Sequence, residues 1–493
     1  MEYIIGVDIG TGSVKAVAVD LSGKSFEVDQ QHYPYHAPQP DYHEQDADEI
    51  WRAFQKSLTA IIDKIGHQPK AISLSAAMHS LVAVDDACHA LAPMMTWADN
   101  RSAEVAKELK NSSTGLAIYE ATGTPIHAMA PLCKLIWLKD NDQARFHKTY
   151  KFISIKEYIW FKLFAEFVVD YSIASCTGLF DLKTLTWHDQ ALQLAGIEAS
   201  RLSLPVPTDY CSTKPILNMP SLNPQTPFII GASDGCLANL GCMAYQPGQA
   251  VITIGTSGAI RIASKVPLPN VDAMTFSYIL DQDTYICGGP INNGGITIQW
   301  WLTDQEDDEL MDHDYDDYFK QVLETPAGSN GLLFLPYLTG ERAPIWDSES
   351  CGTFFGVKLA HQKRHFSRAV LEGVCYAMKD VLEAVQMNAE PIHQIYISGG
   401  FVKSEAWVQV LADITGKELV IVQTEDASAI GAAFLAMKTL KMIHTYPVAK
   451  PEQLEVIKPD RLLTAFYLKN FAIFKKVYFN LKDTMHEYHS LNH

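Results

Sequence analysis

The sequence is poor in basic residues and has no long apolar run. Lys and Arg together number 39, against 57 Asp and Glu, so the formal net charge is −18. A surface of this charge repels nucleic-acid backbones and anionic lipids, which excludes nucleic acid and membrane as partners. No stretch approaches the ~20 consecutive apolar residues of a membrane-spanning helix. Any anionic substrate must therefore be held by a local basic or backbone N–H site.

Paired cysteines and the familiar nucleotide-binding motifs are also missing. The nine cysteines are scattered, with no CxxC pair, which predicts reduced thiols rather than disulfides or a zinc site. The opening letters MEYIIGVDIG lack a basic segment and lead directly into a predicted strand, so we expect no signal peptide and a cytoplasmic location. Neither GxxxxGK[ST] nor a GxGxxG that opens a βαβ unit occurs. A bound nucleotide would need a different phosphate site.

The length and the apolar pattern indicate two related α/β domains. A chain of 493 residues is too long for one hydrophobic core. Apolar strands around a Gly-rich turn predict a β-hairpin at 3–20 and another at 248–264, and both turns contain IGT. Strand-like and helix-like segments alternate elsewhere. We predict an N-terminal domain over 1–246, a C-terminal domain over 247–445, and a helical tail over 446–493 that docks on the core.

Four shorter segments carry more local predictions. Residues 167–175, FVVDYSIAS, have the pattern of a strand, and the proline-rich residues 203–228 that of a surface connection. The acidic run 306–317 lacks the spacing of a calcium-binding loop, so we expect a solvated loop. Aromatic residues at helical spacing in 462–481 predict a helix whose apolar face packs on the core.

The turns of the two predicted hairpins are candidates for holding phosphates. Such turns can direct successive backbone N–H groups and hydroxyls at phosphate oxygens without a clashing side chain. One Gly-rich hairpin is usually no more than a turn, but two in corresponding places favour a nucleotide site. The turn residues are Gly10, Thr11, Gly12 and Ser13 in the first hairpin and Gly255, Thr256, Ser257 and Gly258 in the second.

Two aspartates are candidates for the chemistry, each with an open alternative. Asp8 lies in the apolar first strand, where an unpaired carboxylate is costly, and could bind Mg²⁺ or cap its own turn. Asp234 follows an apolar strand and could be the general base of phosphoryl transfer, although the spacing favours a helix N-cap equally. Met78, His79 and the segment 96–101 could form a polyol pocket, but a lone His after a strand is more often structural.

These segments together resemble the FGGY family of carbohydrate kinases, over roughly residues 3–440. Six motifs occur in the order that the family has them, which makes a chance resemblance negligible. They are GVDIGTGSVKAVAVD, MAPLCKLIWLKDN (129–141), VITIGTSGAI, GERAPIWD (340–347), GTFFGVKLAHQKRHFSRAVLEG (352–373) and ISGGFVKSEAWVQVLAD (397–413).

The resemblance implies a two-lobed actin-like ATPase fold of duplicated ribonuclease-H-like domains, with ATP and substrate meeting in the interlobe cleft. It implies that Asp234 is the catalytic base, that Asp8 lies at the Mg²⁺ site, and that a homodimer is possible. The residues that it assigns to the nucleotide are Gly10, Thr11, Gly12, Ser13, Lys15, Gly255, Thr256, Gly295, Gly399, Gly400 and Ser404.

The resemblance also bears on the substrate. Ketose kinases of the family commonly have Asp-Asn where this chain has Asp234-Gly235, and loss of that amide argues for another ligand. The stretches SAAMHSLVAVD, TGTPIHAMAPLCKLIWLK and GASDGCLANLG are most similar to the members that phosphorylate gluconate, which implies 6-phosphogluconate as product. The resemblance places Met78, His79 and Asp99 at the substrate. A sugar acid also needs a partner for its carboxylate, and the candidates are Lys134, His79, Arg101 and His127.

Two other functions stay open at this point. A kinase for xylulose or a related pentulose would use the same fold and base. A non-catalytic actin-like ATPase or sugar sensor would bind ATP without turnover, and would usually have lost its base. Asp234 and both Gly-rich turns are present, which disfavours the sensor.

Overall fold

Two large mixed sheets, one in each half of the chain, organise the structure. The computed structural model describes residues 2–216, 219–303, 312–422, 426–449 and 454–492. The strands of the first half are β1 Tyr3–Ile9, β2 Ser13–Asp20, β3 Ser25–His32, β4 Glu44–Gln45, β5 Ala71–Ala76, β6 Val82–Val84, β7 Met94–Met95, β8 Lys151–Ile153, β9 Val168–Asp170, β10 Phe180–Asp181, β11 Thr186–Trp187, β12 Leu204–Val206, β13 Cys211–Ser212 and β14 Phe228–Ser233.

Helices alternate with these strands. They are α1 Ala47–Ile65, α2 Ala103–Lys110, α3 Ser113–Thr122, α4 Pro131–Asn141, α5 Gln143–Lys148, α6 Ile155–Phe164, α7 Tyr171–Ser175, α8 Asp189–Ala195 and α9 Asp234–Gly241. Asp46 caps α1 by accepting from the backbone N–H groups of Asp48 and Glu49, and Gly66 ends the same helix in the left-handed conformation.

The second half repeats the alternation. Its strands are β15 Gln249–Ile254, β16 Gly258–Ser264, β17 Phe276–Asp281, β18 Thr284–Ile291, β19 Leu333–Leu335, β20 Thr353–Phe355, β21 Gln394–Ser398, β22 Glu418–Ile421 and β23 Glu455–Ile457. Its helices are α10 Gly295–Leu302, α11 Asp312–Glu324, α12 Lys363–Gln386, α13 Glu405–Thr415, α14 Ala427–Thr439 and α15 Arg461–Asn492.

The two sheets have the same core arrangement. The first has the order β13-β14-β5-β1-β2-β3 and the second the order β17-β18-β16-β15-β21-β22-β23. In each, an antiparallel hairpin, β1–β2 or β15–β16, lies beside a strand parallel to its first member, β5 or β21. The predicted pair of hairpins and the duplicated two-lobed α/β fold are therefore confirmed.

Helix α14 joins the lobes through a contact between small residues. Although it comes late in the chain, α14 packs on β1 and α9 of the first lobe. A Cβ atom on Gly6 would lie 1.8 Å from the carbonyl oxygen of Ala429, and one on Gly431 would lie 2.0 Å from that of Leu237. The backbones approach this closely only because the side chains are missing.

The structure departs from three local predictions. The strand predicted over 167–175 ends at Asp170, whose carboxylate accepts from the backbone N–H of Ile173 and so begins helix α7. The proline-rich connection 203–228 contributes the short strands β12 and β13, which pair with β9 and β14. In the acidic run, residues 312–317 begin helix α11 rather than a loop, and residues 306–311 lie outside the described part of the chain.

The last helix packs on the second lobe as predicted. Along α15 the side chains of Tyr467, Phe471, Phe474 and Val477 are buried at helical spacing. Its second half also reaches the 340–347 loop, because the hydroxyl of Tyr478 donates to Asp347 over 2.7 Å. The tail contributes strand β23 as well, which pairs with β22 at the edge of the second sheet.

The close contact between α9 and α14 leads to a testable prediction. A Cβ atom on Gly241 would lie 1.9 Å from the carbonyl oxygen of Ala427, so Gly241→Ala must push the helices apart. We expect the free energy of unfolding to fall by about 1–3 kcal/mol or more. Gly400→Ala is the matched control, because a Cβ there meets nothing within 4 Å. Denaturant unfolding without ligands that gave equal stabilities would contradict the close packing.

Candidate active site

Three parallel strands of the first sheet end at one edge and bring the candidate residues together. In the register of the sheet, Asp8 on β1 lies opposite Ser75 on β5, and Ser75 lies opposite Ala232 on β14. Asp234 follows β14 by one residue, and Met78 and His79 follow β5. Carboxyl ends of parallel strands are the usual ligand edge of α/β sheets. The predicted metal, base and pocket residues therefore share one edge.

Asp8 is a partly covered carboxylate beside the first Gly-rich turn. Its Oδ1 accepts a hydrogen bond of 2.6 Å from the hydroxyl of Ser75. Burial raises the pKa of Asp8, and the Ser75 hydrogen bond and Lys15 oppose that shift. Lys15 itself pairs with Asp426, at the start of α14, over 2.8 Å. A carboxylate that burial disfavours in its ionised form would be stabilised by a cation at this position.

Asp234 is the first residue of α9 but does not cap it. The N-cap is Ser233, whose side chain makes no capping bond, and among the described residues Asp234 Oδ1 accepts only from the adjacent Gly235 N–H, over 2.7 Å. Burial raises the pKa of Asp234 to about 6, with the negative charge of Asp8 adding to it and Arg261 opposing it. A carboxylate with a pKa near neutrality has the proton affinity that a general base needs.

Backbone and side-chain hydrogen bonds hold the first turn and leave its tip open. The Gly10 N–H donates to the Ser13 carbonyl over 3.0 Å, and Trp97 Nε1 donates to Thr11 Oγ1 over 2.9 Å. A Cβ on Gly12 would meet nothing within 4 Å. The tip has the open space and backbone N–H groups that phosphate oxygens require.

The second turn packs on the start of α10 and on the end of β21. Thr256 accepts through its carbonyl from the N–H groups of Gly294 and Ile296. A Cβ on Gly295 would lie 2.7 Å from the Gly255 carbonyl oxygen, and one on Gly399 would lie 2.4 Å from that of Ile254. These glycines therefore bring three backbone segments together at one place.

The remaining residues predicted at the nucleotide differ in their local role. Gly255 and Gly400 border open space, as Gly12 does. Ser404 is the N-cap of α13, where its hydroxyl accepts from the Trp407 N–H over 3.2 Å. This capping bond gives Ser404 a structural task that the sequence pattern did not indicate.

A buried lysine, Lys134, holds the Met78–His79 turn in place. His79 has a positive φ of 65°, and its Nδ1 donates to the Cys176 carbonyl over 2.8 Å. Lys134 is fully buried, and its ammonium donates to the carbonyls of His79 and Thr96 over 2.6 Å each. Burial lowers the pKa of Lys134 to about 7. This position argues against direct contact of Lys134 with a substrate and for a role in positioning the turn.

Asp99 and Arg101 are committed to each other. Arg101 donates through Nε and Nη2 to both carboxylate oxygens of Asp99, over 2.8 and 2.7 Å, and also to Glu44. Its guanidinium lies 3.6 Å from the ring centroid of Tyr42, and Asp99 is fully buried. The pair fixes the 96–101 segment and leaves Arg101 little capacity to bind a substrate carboxylate.

Two arginines that the sequence analysis did not select lie near this pocket. Arg342 is buried, donates from Nη2 to the Ile291 carbonyl over 2.8 Å, and lies 5.4 Å from the Trp97 ring centroid. Arg261 on β16 lies against Gly235, the neighbour of Asp234. The sequence did carry a signal, because Arg261 is the one charged residue of the strand GAIRIAS.

The described residues contain neither a complete metal site nor a helix that could cross a membrane. Among those residues, no group of three or more His, Cys, Asp or Glu side chains could hold a metal ion by itself. A Mg²⁺ ion at Asp8 would need phosphate oxygens or water as its other ligands. No helix in the described part of the chain has the length and apolar character needed to cross a membrane.

The geometry defines a class of protein. Two lobes each present a Gly-rich hairpin turn, and two carboxylates lie at the sheet edge next to the first turn, an arrangement suited to phosphoryl transfer from a nucleotide. Comparison with known families agrees: the model of the "FGGY family of carbohydrate kinases, N-terminal domain" matches residues 3–241, and that of the C-terminal domain matches 250–440. The chain belongs to the FGGY family of carbohydrate kinases. It is thus a sugar kinase of actin-like fold with ATP as phosphate donor.

Individual relatives include kinases for different substrates. The gluconokinase of Bacillus subtilis is 40% identical over 458 residues, which are 90% of this chain and 89% of that protein. The xylulose kinase of Staphylococcus xylosus is 27% identical over 97% of this chain and 100% of its own length. The crystal structure of gluconate kinase from Lactobacillus acidophilus superposes with a TM-score of 0.92 at 32% identity, over 99% of both chains.

The raised pKa of Asp234 predicts an acidic limb in the pH dependence of activity. A general base must be deprotonated, so kcat/KM should fall about tenfold per unit as the pH drops below about 6. An aspartate with an ordinary pKa would place this limb near pH 4. The measurement is kcat/KM for the sugar substrate from about pH 4.5 to about pH 8, at saturating ATP.

Asp234→Asn is the matched variant for this profile. It keeps the size of the side chain and removes its basicity, so turnover should fall about 100- to 10,000-fold while nucleotide binding persists. A wild-type profile that stays flat to pH 5, or a variant with wild-type turnover, would remove Asp234 from this role.

Proposed function

We propose that this chain phosphorylates gluconate at its terminal hydroxyl, with ATP as donor, to give 6-phosphogluconate. The substrate proposal is supported by relatives named gluconokinase at 40% identity, against 27% for those named xylulose kinase, over similar shares of the chain.

The observation that carries the proposed chemistry is the shared sheet edge of Asp8 and Asp234. In the proposed reaction Asp234 accepts the proton of the substrate hydroxyl, whose oxygen forms the new bond to the γ-phosphorus as the bond to the ADP oxygen breaks. Phosphoryl transfer needs little more from a protein than alignment, charge neutralisation and such a base. The pKa of about 6 supports Asp234 in this role.

The nucleotide phosphates are assigned to the two turns and the metal to Asp8, beside the first turn. ATP, when bound, supplies the transferred phosphoryl group. The open tips at Gly12, Gly255 and Gly400 are proposed to accommodate its phosphates through backbone N–H groups. Mg²⁺ is proposed at Asp8, whose ionised form a cation would stabilise against the cost of burial.

The substrate pocket is assigned to the Met78–His79 turn. His79 is proposed to contact the sugar acid as a neutral imidazole, since burial lowers its pKa to about 3, with the charge of Lys134 adding to the effect. Lys134 and Asp99 are proposed to position the residues of the pocket without contacting the substrate. Both are fully buried, and both already bind other groups of the protein.

The second candidate is a xylulose kinase. A crystal structure of a ligand-bound xylulose kinase from Lactobacillus acidophilus also matches with a TM-score of 0.92 at 32% identity, over 99% of this chain. The glycine after Asp234 is the residue that favours gluconate over this alternative, because ketose kinases of the family commonly have an asparagine there.

The proposed cellular setting is the cytoplasm. All nine cysteines are free thiols, seven of them buried, which supports a reducing compartment. A homodimer is proposed on the resemblance to the family alone, in which dimers are common.

A panel of substrates tests the proposed function. At saturating ATP and Mg²⁺, we expect kcat/KM for gluconate to exceed that for xylulose and for glycerol by about 100-fold or more. The reason is that a neutral sugar leaves unpaired the protein group that binds the carboxylate of gluconate. ADP release measures the rate, and NMR of the product identifies the phosphorylated hydroxyl. Asp234→Asn gives the background rate of ADP release. Faster turnover of xylulose than of gluconate would overturn the proposal.

A further inference from the structure

Arg261 points out of the second lobe towards the first. Alternate residues of a strand face opposite sides of its sheet, and the neighbours Ile260 and Ile262 belong to the core of the second lobe. Ala263, on the same side as Arg261, belongs instead to the cluster that contains Leu237 of α9. The strand thus carries the guanidinium to the N-terminal end of α9, where Asp234 lies.

The guanidinium of Arg261 has no acceptor in the described part of the chain. Its Nε and Nη1 are inaccessible to solvent and make no hydrogen bond. The buried Arg368, by contrast, donates to Glu372, to two backbone carbonyls and to the hydroxyl of Tyr467. Buried N–H groups of a charged side chain are costly without acceptors. An anionic ligand would supply the acceptors that Arg261 lacks.

Gly235 makes room for this side chain. A Cβ at position 235 would lie 3.0 Å from Arg261 Nε, 3.5 Å from Arg261 Nη2 and 3.0 Å from the terminal methyl of Met78. Arg261 therefore occupies the space that a side chain at 235 would need. Since Asp234 and Arg261 form no ion pair, a substrate can contact both groups.

The other basic groups near the pocket are less suited than Arg261 to bind a substrate carboxylate. Burial, together with the charge of Arg342, lowers the pKa of His127 to about 3, so His127 is neutral at pH 7. His79 is neutral for the same main reason, burial. Lys134 and Arg101 are committed to carbonyls and carboxylates of the protein. The buried Nε of Arg342 has no acceptor within the described ranges, and Arg342 adds positive charge near Arg261.

We propose that Arg261, whose guanidinium lies in the space that Gly235 leaves, binds the carboxylate of the sugar-acid substrate. This inference rests on the proposed function and names the residue that selects an acid over a neutral sugar. A guanidinium can pair with a carboxylate through two parallel hydrogen bonds, which gives both charge and orientation. In a protein of net charge −18, such a local cation is what lets an anionic sugar bind.

Binding measurements on Arg261→Met test the assignment. Methionine keeps much of the length and removes the charge, and Arg364→Met, an exposed site in the same lobe, is the control for the same loss of charge. By calorimetry we expect the Kd for gluconate to rise about 30-fold or more in Arg261→Met and to stay unchanged in Arg364→Met. The Kd for a non-hydrolysable ATP analogue should not change in either variant.

Gly235→Asn tests the spatial part of the assignment. The new side chain should displace Arg261 and weaken gluconate binding in the wild-type background. In an Arg261→Ala background, whose short side chain leaves the space beside position 235 open, it should add little, because the side chain that it displaces is already gone. Fully additive losses would show that Gly235 and Arg261 act separately and would overturn the shared site.

The outcomes separate this inference from the proposed function. If wild-type protein turns over gluconate and Arg261→Met binds it equally well, the inference fails and the proposed function stands. If Arg261→Met weakens the ATP analogue as much as gluconate, Arg261 serves the phosphates and the inference also fails. If wild-type protein neither binds nor phosphorylates gluconate, the proposed function fails first and this inference fails with it.

Discussion

The parallel pairing of β1, β5 and β14 is the constraint on which the site depends. Parallel strands in register end at one edge, so the residues that follow them meet although they are far apart in the chain. Asp8, the Met78–His79 turn and Asp234 are brought together in this way. Burial at this edge raises the pKa of both carboxylates, and the negative charge of Asp8 adds to the shift of Asp234, which gives Asp234 the proton affinity of a base.

The second lobe reaches this edge through contacts between backbones. Gly6, Gly241 and Gly431 let α14 lie directly on β1 and α9, and Lys15 pairs with Asp426 at the start of α14. Glycines at such positions cost conformational entropy, which the close packing of the lobes offsets. The same approach brings Arg261 from β16 to the N-terminal end of α9.

Charge in the cleft is governed by burial more than by composition. The protein is strongly acidic, yet the basic groups near the pocket differ widely in what they can offer a ligand. Burial leaves His79 and His127 neutral, and Lys134 and Arg101 are occupied within the protein. In the part of the chain that the structure describes, Arg261 and Arg342 retain N–H groups without acceptors. The ability to hold an anion therefore depends on which cations the fold leaves unpaired.

The sequence by itself determined the two hairpins, the duplicated α/β lobes and the docked final helix, because strand periodicity, Gly-rich turns and ordered motifs are local signals. Only the tertiary structure decided the roles of Lys134, Asp99 and Arg101 and the position of Arg261 over Gly235. These features depend on burial and on partners distant in the chain, which no local pattern records.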